Sequence, residues 1–197
     1  MQTSPLEVLA ISGSLRRDSF NRKLIDAASQ LAPVGLAISH YEELAAIPMF
    51  NEDLEFDGGG ASVLRLRSEV QKADGVLIST PEYNQSAPAV LKNAIDWLSR
   101  ATEDPLALKP VMIIGATVGP WGTRLAQASL RQTLLATHSA ILPVAPLFLR
   151  SAATAFDATG QLADERARTG LRKGLTQFAR WIEAIKWFRE RSRETEE

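Results

Sequence analysis

Gly75-Val76-Leu77-Ile78-Ser79 runs without interruption into Thr80-Pro81-Glu82-Tyr83-Asn84-Gln85-Ser86. An apolar run of strand length with no alternation is the pattern of a strand covered on both faces, which is found in parallel sheets flanked by helices. What surrounds the run agrees. A helix is expected before it, over 61–73, and another after it, opened by Pro88. In that second helix Leu91, Ala94, Ile95 and Leu98 share one stripe, while Lys92, Asn93 and Asp96 face elsewhere. Further out, 6–11 is a short apolar strand ending in Ser12-Gly13-Ser14, and Ser19 is placed to cap a helix carrying Leu24, Ala28 and Leu31. A second strand is expected over 36–39, another all-apolar strand over 110–115 with a helix to about 135, and a fifth strand over 139–144. A final long helix places Leu171, Leu175, Phe178, Ile182 and Ile185 in one stripe, with Trp187 opposite it, exposed or in a subunit contact. The polar tail from 189 to 197 is expected to fray. Five strand–helix alternations predict an open parallel sheet with helices on both faces. Its ligands belong outside the carboxyl ends of the strands.

Composition narrows the function. The 197 residues are 45% hydrophobic and 23% charged, with a formal net charge of -1, so one globular domain over 1–197 is expected and nucleic acid is not a partner. The absence of cysteine excludes thiolate nucleophiles, disulfides and iron–sulfur clusters, and two histidines, His40 and His138, make a multi-histidine metal site improbable. The start Met1-Gln2-Thr3-Ser4-Pro5-Leu6-Glu7 does not read as a signal peptide. The apolar stretches 111–118 and 140–149 are too short, or too broken by Pro143 and Pro146, to span a bilayer. A soluble cytoplasmic protein is expected, with no membrane insertion.

Three loops leave the strand ends that should meet at the ligand edge. The first, Ser12-Gly13-Ser14-Leu15-Arg16-Arg17-Asp18-Ser19-Phe20-Asn21, brings hydroxyls, an amide, a guanidinium and the free N–H groups of a helix start, a set that favours a phosphate monoester. It is neither a Walker A loop nor a Gly-x-Gly-x-x-Gly fingerprint. Read alone, it is equally a polar turn with a capping serine. The second loop places Tyr83 where a planar ring would stack. The third pairs Gly119 and Gly122 with Trp121, a candidate stacking wall. No Gly-x-Ser-x-Gly elbow supports a serine hydrolase, and Ser79-Thr80 and Ser12-Gly13 stand where a phosphoacceptor receiver needs acids. Arg124 and Arg131, on the helix after the third loop, read as a solvated face, with a dinucleotide phosphate or a partner subunit as alternatives.

Together, Gly13-Ser14-Leu15-Arg16-x-x-Ser19-x-Asn21, Ser79-Thr80-Pro81-Glu82-Tyr83-Asn84 with Pro88-x-x-Leu91-Lys92-Asn93-x-x-Asp96-Trp97, and Gly119-x-x-Gly122 resemble the NADPH-dependent FMN reductase family, which includes quinone and chromate reductases. The resemblance implies a three-layer α/β flavodoxin-like fold with a five-stranded parallel sheet of order 2-1-3-4-5. It implies non-covalent FMN, NADPH or NADH as electron donor, a small-molecule acceptor such as a quinone, and a homodimer or homotetramer. It places Ser14, Arg16, Ser19 and Asn21 at the FMN phosphate, and Pro81, Glu82, Tyr83 and Asn84 along the ribityl chain and ring. Thr117, Gly119 and Gly122 fall at the other ring edge. Thr117-Val118-Gly119-Pro120 departs from the family's usual Ser-Gly-Gly or Ser-Pro-Gly, and Thr123 stands where a second Gly is common. The segment 47–54 resembles one that borders the site from the neighbouring subunit, and is equally an ordinary crossover loop. No side chain need act as acid or base, because the flavin carries the hydride chemistry. The alternative is a flavodoxin-type electron carrier without its own NADPH activity. Such carriers have a strongly acidic face, which the balanced charge does not favour.

Overall fold

A computed structural model describes residues 4–145 and 147–194. Met1 to Thr3, Pro146 as a strand breaker, and the last three residues of the tail lie outside the described residues. The chain runs β1 (Leu6–Ser12), α1 (Phe20–Leu31), β2 (Leu36–Tyr41), α2 (Ala61–Lys72), β3 (Gly75–Ser79), α3 (Ala89–Ser99), β4 (Pro110–Ala116), α4 (Arg124–Ala136), β5 (Ala140–Ile141), β6 (Leu147–Leu149), α5 (Ala152–Ala155) and α6 (Glu165–Glu194). Two 3-10 turns, Leu44–Ala46 and Glu52–Leu54, interrupt the crossover from β2 to α2. The sheet order is β2-β1-β3-β4-β5, parallel throughout, which is the expected flavodoxin-like arrangement.

Alternate residues of each strand feed two separate cores, because successive side chains of a strand point to opposite faces. Val8, Ala10, Leu77, Met112 and Ile114 meet α1 and α6 through Leu24, Ala28, Leu171, Leu175 and Phe178. Leu9, Ile11, Val76, Ile78, Val111 and Ile113 meet α2, α3 and α4 through Leu66, Leu91, Trp97 and Leu130. This is the three-layer build that the unalternated apolar strands predict.

Three expectations change. The fifth strand is not one strand over 139–144. Beside β4, Pro110 and Val111 pair with Ala140 and Ile141, the ladder lapses, and pairing resumes as Ile114, Gly115 and Ala116 meet Leu147, Phe148 and Leu149. Pro143 has no N–H to give a ladder, and the Val144 N–H turns back to the Leu142 carbonyl at 3.0 Å. The edge position is thus held by two short strands with a gap between them. Asn93 does not face solvent: it is buried, its amide accepts from the Phe50 N–H at 2.7 Å and donates to the Pro48 carbonyl at 2.9 Å. Trp97 donates to the same carbonyl at 2.8 Å and meets the Phe50 ring edge-on, so α3 holds the 48–50 crossover in place. Finally, the helix continues through Glu194 rather than fraying from 189. Lys186 pairs with Asp74 at 2.6 Å, and Arg191 stacks over the exposed Trp187, which gives the polar end local support.

Candidate active site

β1, β3 and β4 end side by side, and their three loops meet as the sequence predicts. A cleft of about 140 Å3 there is lined by Ser14, Arg16, Ser19, Phe20, Asn21, Pro81, Glu82, Tyr83, Ala116, Thr117 and Val118. A second recess of about 300 Å3, lined by Gly13, Leu15, Pro88, Ala89 and Val90, shares Arg16 and Tyr83 with it. Of the expected site residues, Asn84, Gly119 and Gly122 do not line the cleft.

The first loop is built to leave donors free. The Gly13 N–H is used by the Ser79 carbonyl at 2.8 Å and the Ser14 N–H by Ser12 Oγ at 3.4 Å. Among the described residues no acceptor is found for the backbone N–H groups of Leu15, Arg16, Arg17 and Asp18. Ser19 caps α1 by accepting from the Asn21 N–H at 3.2 Å. The Arg16 guanidinium is exposed and leans on the Asp18 carbonyl at 2.6 Å, which leaves most of its donors unspent. Asp18 points to Lys23, whose hydrogen bond and charge hold its carboxyl below the usual range. The loop therefore offers a positive, donor-rich helix start to an anion.

Asn21 lines the cleft and also bonds across the sheet. Its Oδ1 accepts from the Ala116 N–H at 2.9 Å and from Ser79 Oγ at 3.1 Å, and its Nδ2 donates to the Ala116 carbonyl at 2.9 Å. It ties the start of α1 to the ends of β3 and β4 and so sets the width of the cleft.

The second loop also divides its labour. Tyr83 and Ser86 exchange two backbone hydrogen bonds, at 3.1 and 3.0 Å, around Asn84 and Gln85, both left-handed with φ of 49° and 63°. That is the tight turn in which two central residues need positive φ, and it leaves the Tyr83 ring half exposed at the rim. Glu82 lines the cleft, yet one of its carboxylate oxygens accepts from the Leu125 and Ala126 N–H groups at 2.8 and 3.0 Å. It thereby caps α4, whose own Thr123 makes no side-chain cap.

The third loop is shaped by packing. Gly122 has a φ of 73°, and a Cβ there would lie 2.8 Å from that of Phe148, so the close contact with β6 requires glycine. At Gly115, in β4, a Cβ would sit 2.0 Å from Thr123 Oγ1, so only glycine lets this loop close over the strand end. Trp121 is exposed under Arg124, at 5.5 Å, and stays clear of the cleft. Thr117 does line the cleft, and its Oγ1 accepts from the Gly119 N–H at 3.3 Å.

The family model for NADPH-dependent FMN reductases matches residues 6–154. The chain belongs to this family. The reductase character of the family is matched by single relatives. An NAD(P)H-dependent FMN reductase of Pseudomonas aeruginosa is 41% identical over 181 residues, covering 92% of this chain and 97% of that one. A quinone reductase of Escherichia coli is 36% identical over 183 residues, 92% and 97% of the two chains. The fold is matched by FerB, a flavoenzyme NAD(P)H:(acceptor) oxidoreductase from Paracoccus denitrificans, with a TM-score of 0.84 and 35% identity over 91% of this chain and 98% of that one.

Sequence reasoning missed Phe20 as a cleft wall, stacked 5.6 Å from Phe156, because the signal for Phe156 lies over a hundred residues away. It also missed the tasks of Asn93 and Trp97. His40 lines neither recess, and burial pushes its pKa down. His138 is exposed in the turn after α4 with a φ of 54°.

Proposed function

We propose that the chain is an FMN-dependent NAD(P)H oxidoreductase that passes two electrons to quinones or similar small acceptors. The observation that carries this reading is the open start of α1, where free N–H groups, Ser14, Ser19 and Arg16 face a cleft walled by Pro81 and Tyr83. These residues fit FMN: a phosphate monoester needs donors and positive charge without a metal, and a flat ring needs an exposed aromatic or apolar wall. Ser14, Arg16 and Ser19 would hold the phosphate, and Pro81, Tyr83, Thr117 and Val118 the remainder. When bound, FMN supplies the hydride chemistry between a nicotinamide and an acceptor. The chain's own residues bind, orient and exclude water. Asn21 and Glu82 act through the backbone they fix. Asn84 and Gly119 stand one residue beyond the cleft walls, and their part is to shape the turns that carry Tyr83 and Val118.

With one face of the ring against the chain, NADPH or NADH and then the acceptor would use the other face in turn, and ping-pong kinetics would follow. The reading extends to one FMN-binding domain, a cytoplasmic setting, and a homodimer or homotetramer. The homo-oligomer is supported by exposed apolar residues, among them Met49, Phe56 and Trp121. Among the described residues no helix is long and apolar enough to cross a membrane. The test is anaerobic addition of NADPH to the FMN-loaded, desalted protein. Immediate bleaching of retained flavin is the expected result, and retained flavin that stays oxidised would identify an electron carrier instead.

A further inference from the structure

The gap in the edge strand opens a cavity of about 450 Å3, larger than either recess of the active site and sharing no residue with them. Its floor is apolar, formed by Met112 of β4 with Leu142 and Val144 of the segment that leaves the sheet. Its walls bring Arg131 of α4 to Lys173 and Gln177 of α6. Arg131 is partly buried, and among the described residues its side chain has no ion pair and no hydrogen bond; nor has that of Lys173. Burial pushes the Arg131 pKa down with no carboxylate to offset it. A partly buried guanidinium that lines a cavity and has no acceptor within the chain is a ready partner for a bound anion, and its planar fork matches the two oxygens of a carboxylate. The volume lies within the usual range for small-molecule pockets, about 300–1,000 Å3.

We propose that this cavity is a second ligand site, which takes a small hydrophobic carboxylate: its hydrocarbon part lies on Met112, Leu142 and Val144, and its carboxylate is held by Arg131 with Lys173 and Gln177. The site is independent of the flavin reading, since neither its residues nor its chemistry involve the cleft at α1. Arg131, which the sequence presents as part of a solvated helix face, faces this cavity instead.

The test is a 19F NMR titration of the FMN-loaded protein with 4-(trifluoromethyl)benzoate, with the neutral benzamide as control. Saturable binding at one site per chain is expected. Arg131→Gln should weaken it by about 10-fold or more, the loss of a charge-assisted contact, and the benzamide should bind at least about 10-fold more weakly. Amide shifts should map to Gly170, Gly174 and Gln177. Should Arg131→Gln lower the melting temperature, Lys173→Glu decides, because Lys173 is exposed and its reversal leaves the core intact; a several-fold loss is expected. Absence of saturable binding, equal binding of the benzamide, affinity unchanged by either substitution, or shifts centred on Tyr83 and Val118 would each overturn the proposal.

Discussion

Two helices begin at the same edge of the sheet, one turn beyond parallel strands, and their N-termini are treated in opposite ways. At α4 the N–H groups of Leu125 and Ala126 in the first turn are taken by the Glu82 carboxylate, at 2.8 and 3.0 Å, so the positive end of that helix is neutralised from within. At α1 the only side-chain cap is the neutral Ser19, and the loop before it keeps its donors and the Arg16 charge unspent. The same physics that stabilises α4 by an internal anion leaves α1 waiting for an external one. A glutamate on the loop between these two strand ends thus leaves only the start of α1 with its donors open, which is why the proposed phosphate site lies there.

Substitutions can break or sharpen this contrast. Asn21→Ala should have the largest effect, because it strands the buried Ala116 N–H and carbonyl; a loss of about 2–4 kcal/mol in stability is expected by denaturant unfolding of the apoprotein. An unchanged midpoint would show that Asn21 is not the strut between α1 and β4. Arg16→Ala should leave stability unaltered while weakening FMN by roughly 10- to 150-fold, the equivalent of about 1.5–3 kcal/mol. An unchanged FMN titration would reduce Arg16 to a surface charge. Glu82→Gln should do the reverse, costing about 0.5–1.5 kcal/mol of stability through the α4 cap and altering FMN affinity less than Arg16→Ala does. A larger FMN loss for Glu82→Gln would erase the distinction between the two helix starts. The smallest effect belongs to Gly119→Ala, within about 0.5 kcal/mol, since a Cβ there meets nothing closer than Thr117 Oγ1 at 3.7 Å. Gly122→Ala, strained in the left-handed region against Phe148, should melt clearly lower in a paired thermal scan.

The parallel sheet and its order were legible because each central strand is buried on both faces and says so in an unbroken apolar run. The three loops were legible because they follow those runs directly. What escaped depends on partners distant in the chain. Asn21 finds its partner at Ala116 and Glu82 at Leu125, contacts that no local pattern encodes. Helical spacing put Asn93 on an outer face, correctly in angle, yet the Pro48–Phe50 crossover returns over that face and buries it. The edge strand read as one apolar run, although Pro143 within it already argued against an unbroken ladder.

Comparative titration of FMN and riboflavin into the apoprotein and into Arg16→Ala isolates the contact at the start of α1, for the two ligands differ only in the phosphate. FMN should bind at least about 10-fold tighter than riboflavin to the unaltered chain, and Arg16→Ala should remove most of that advantage. Equal affinities for FMN and riboflavin in the unaltered chain, or an advantage that survives in Arg16→Ala, would contradict that contact.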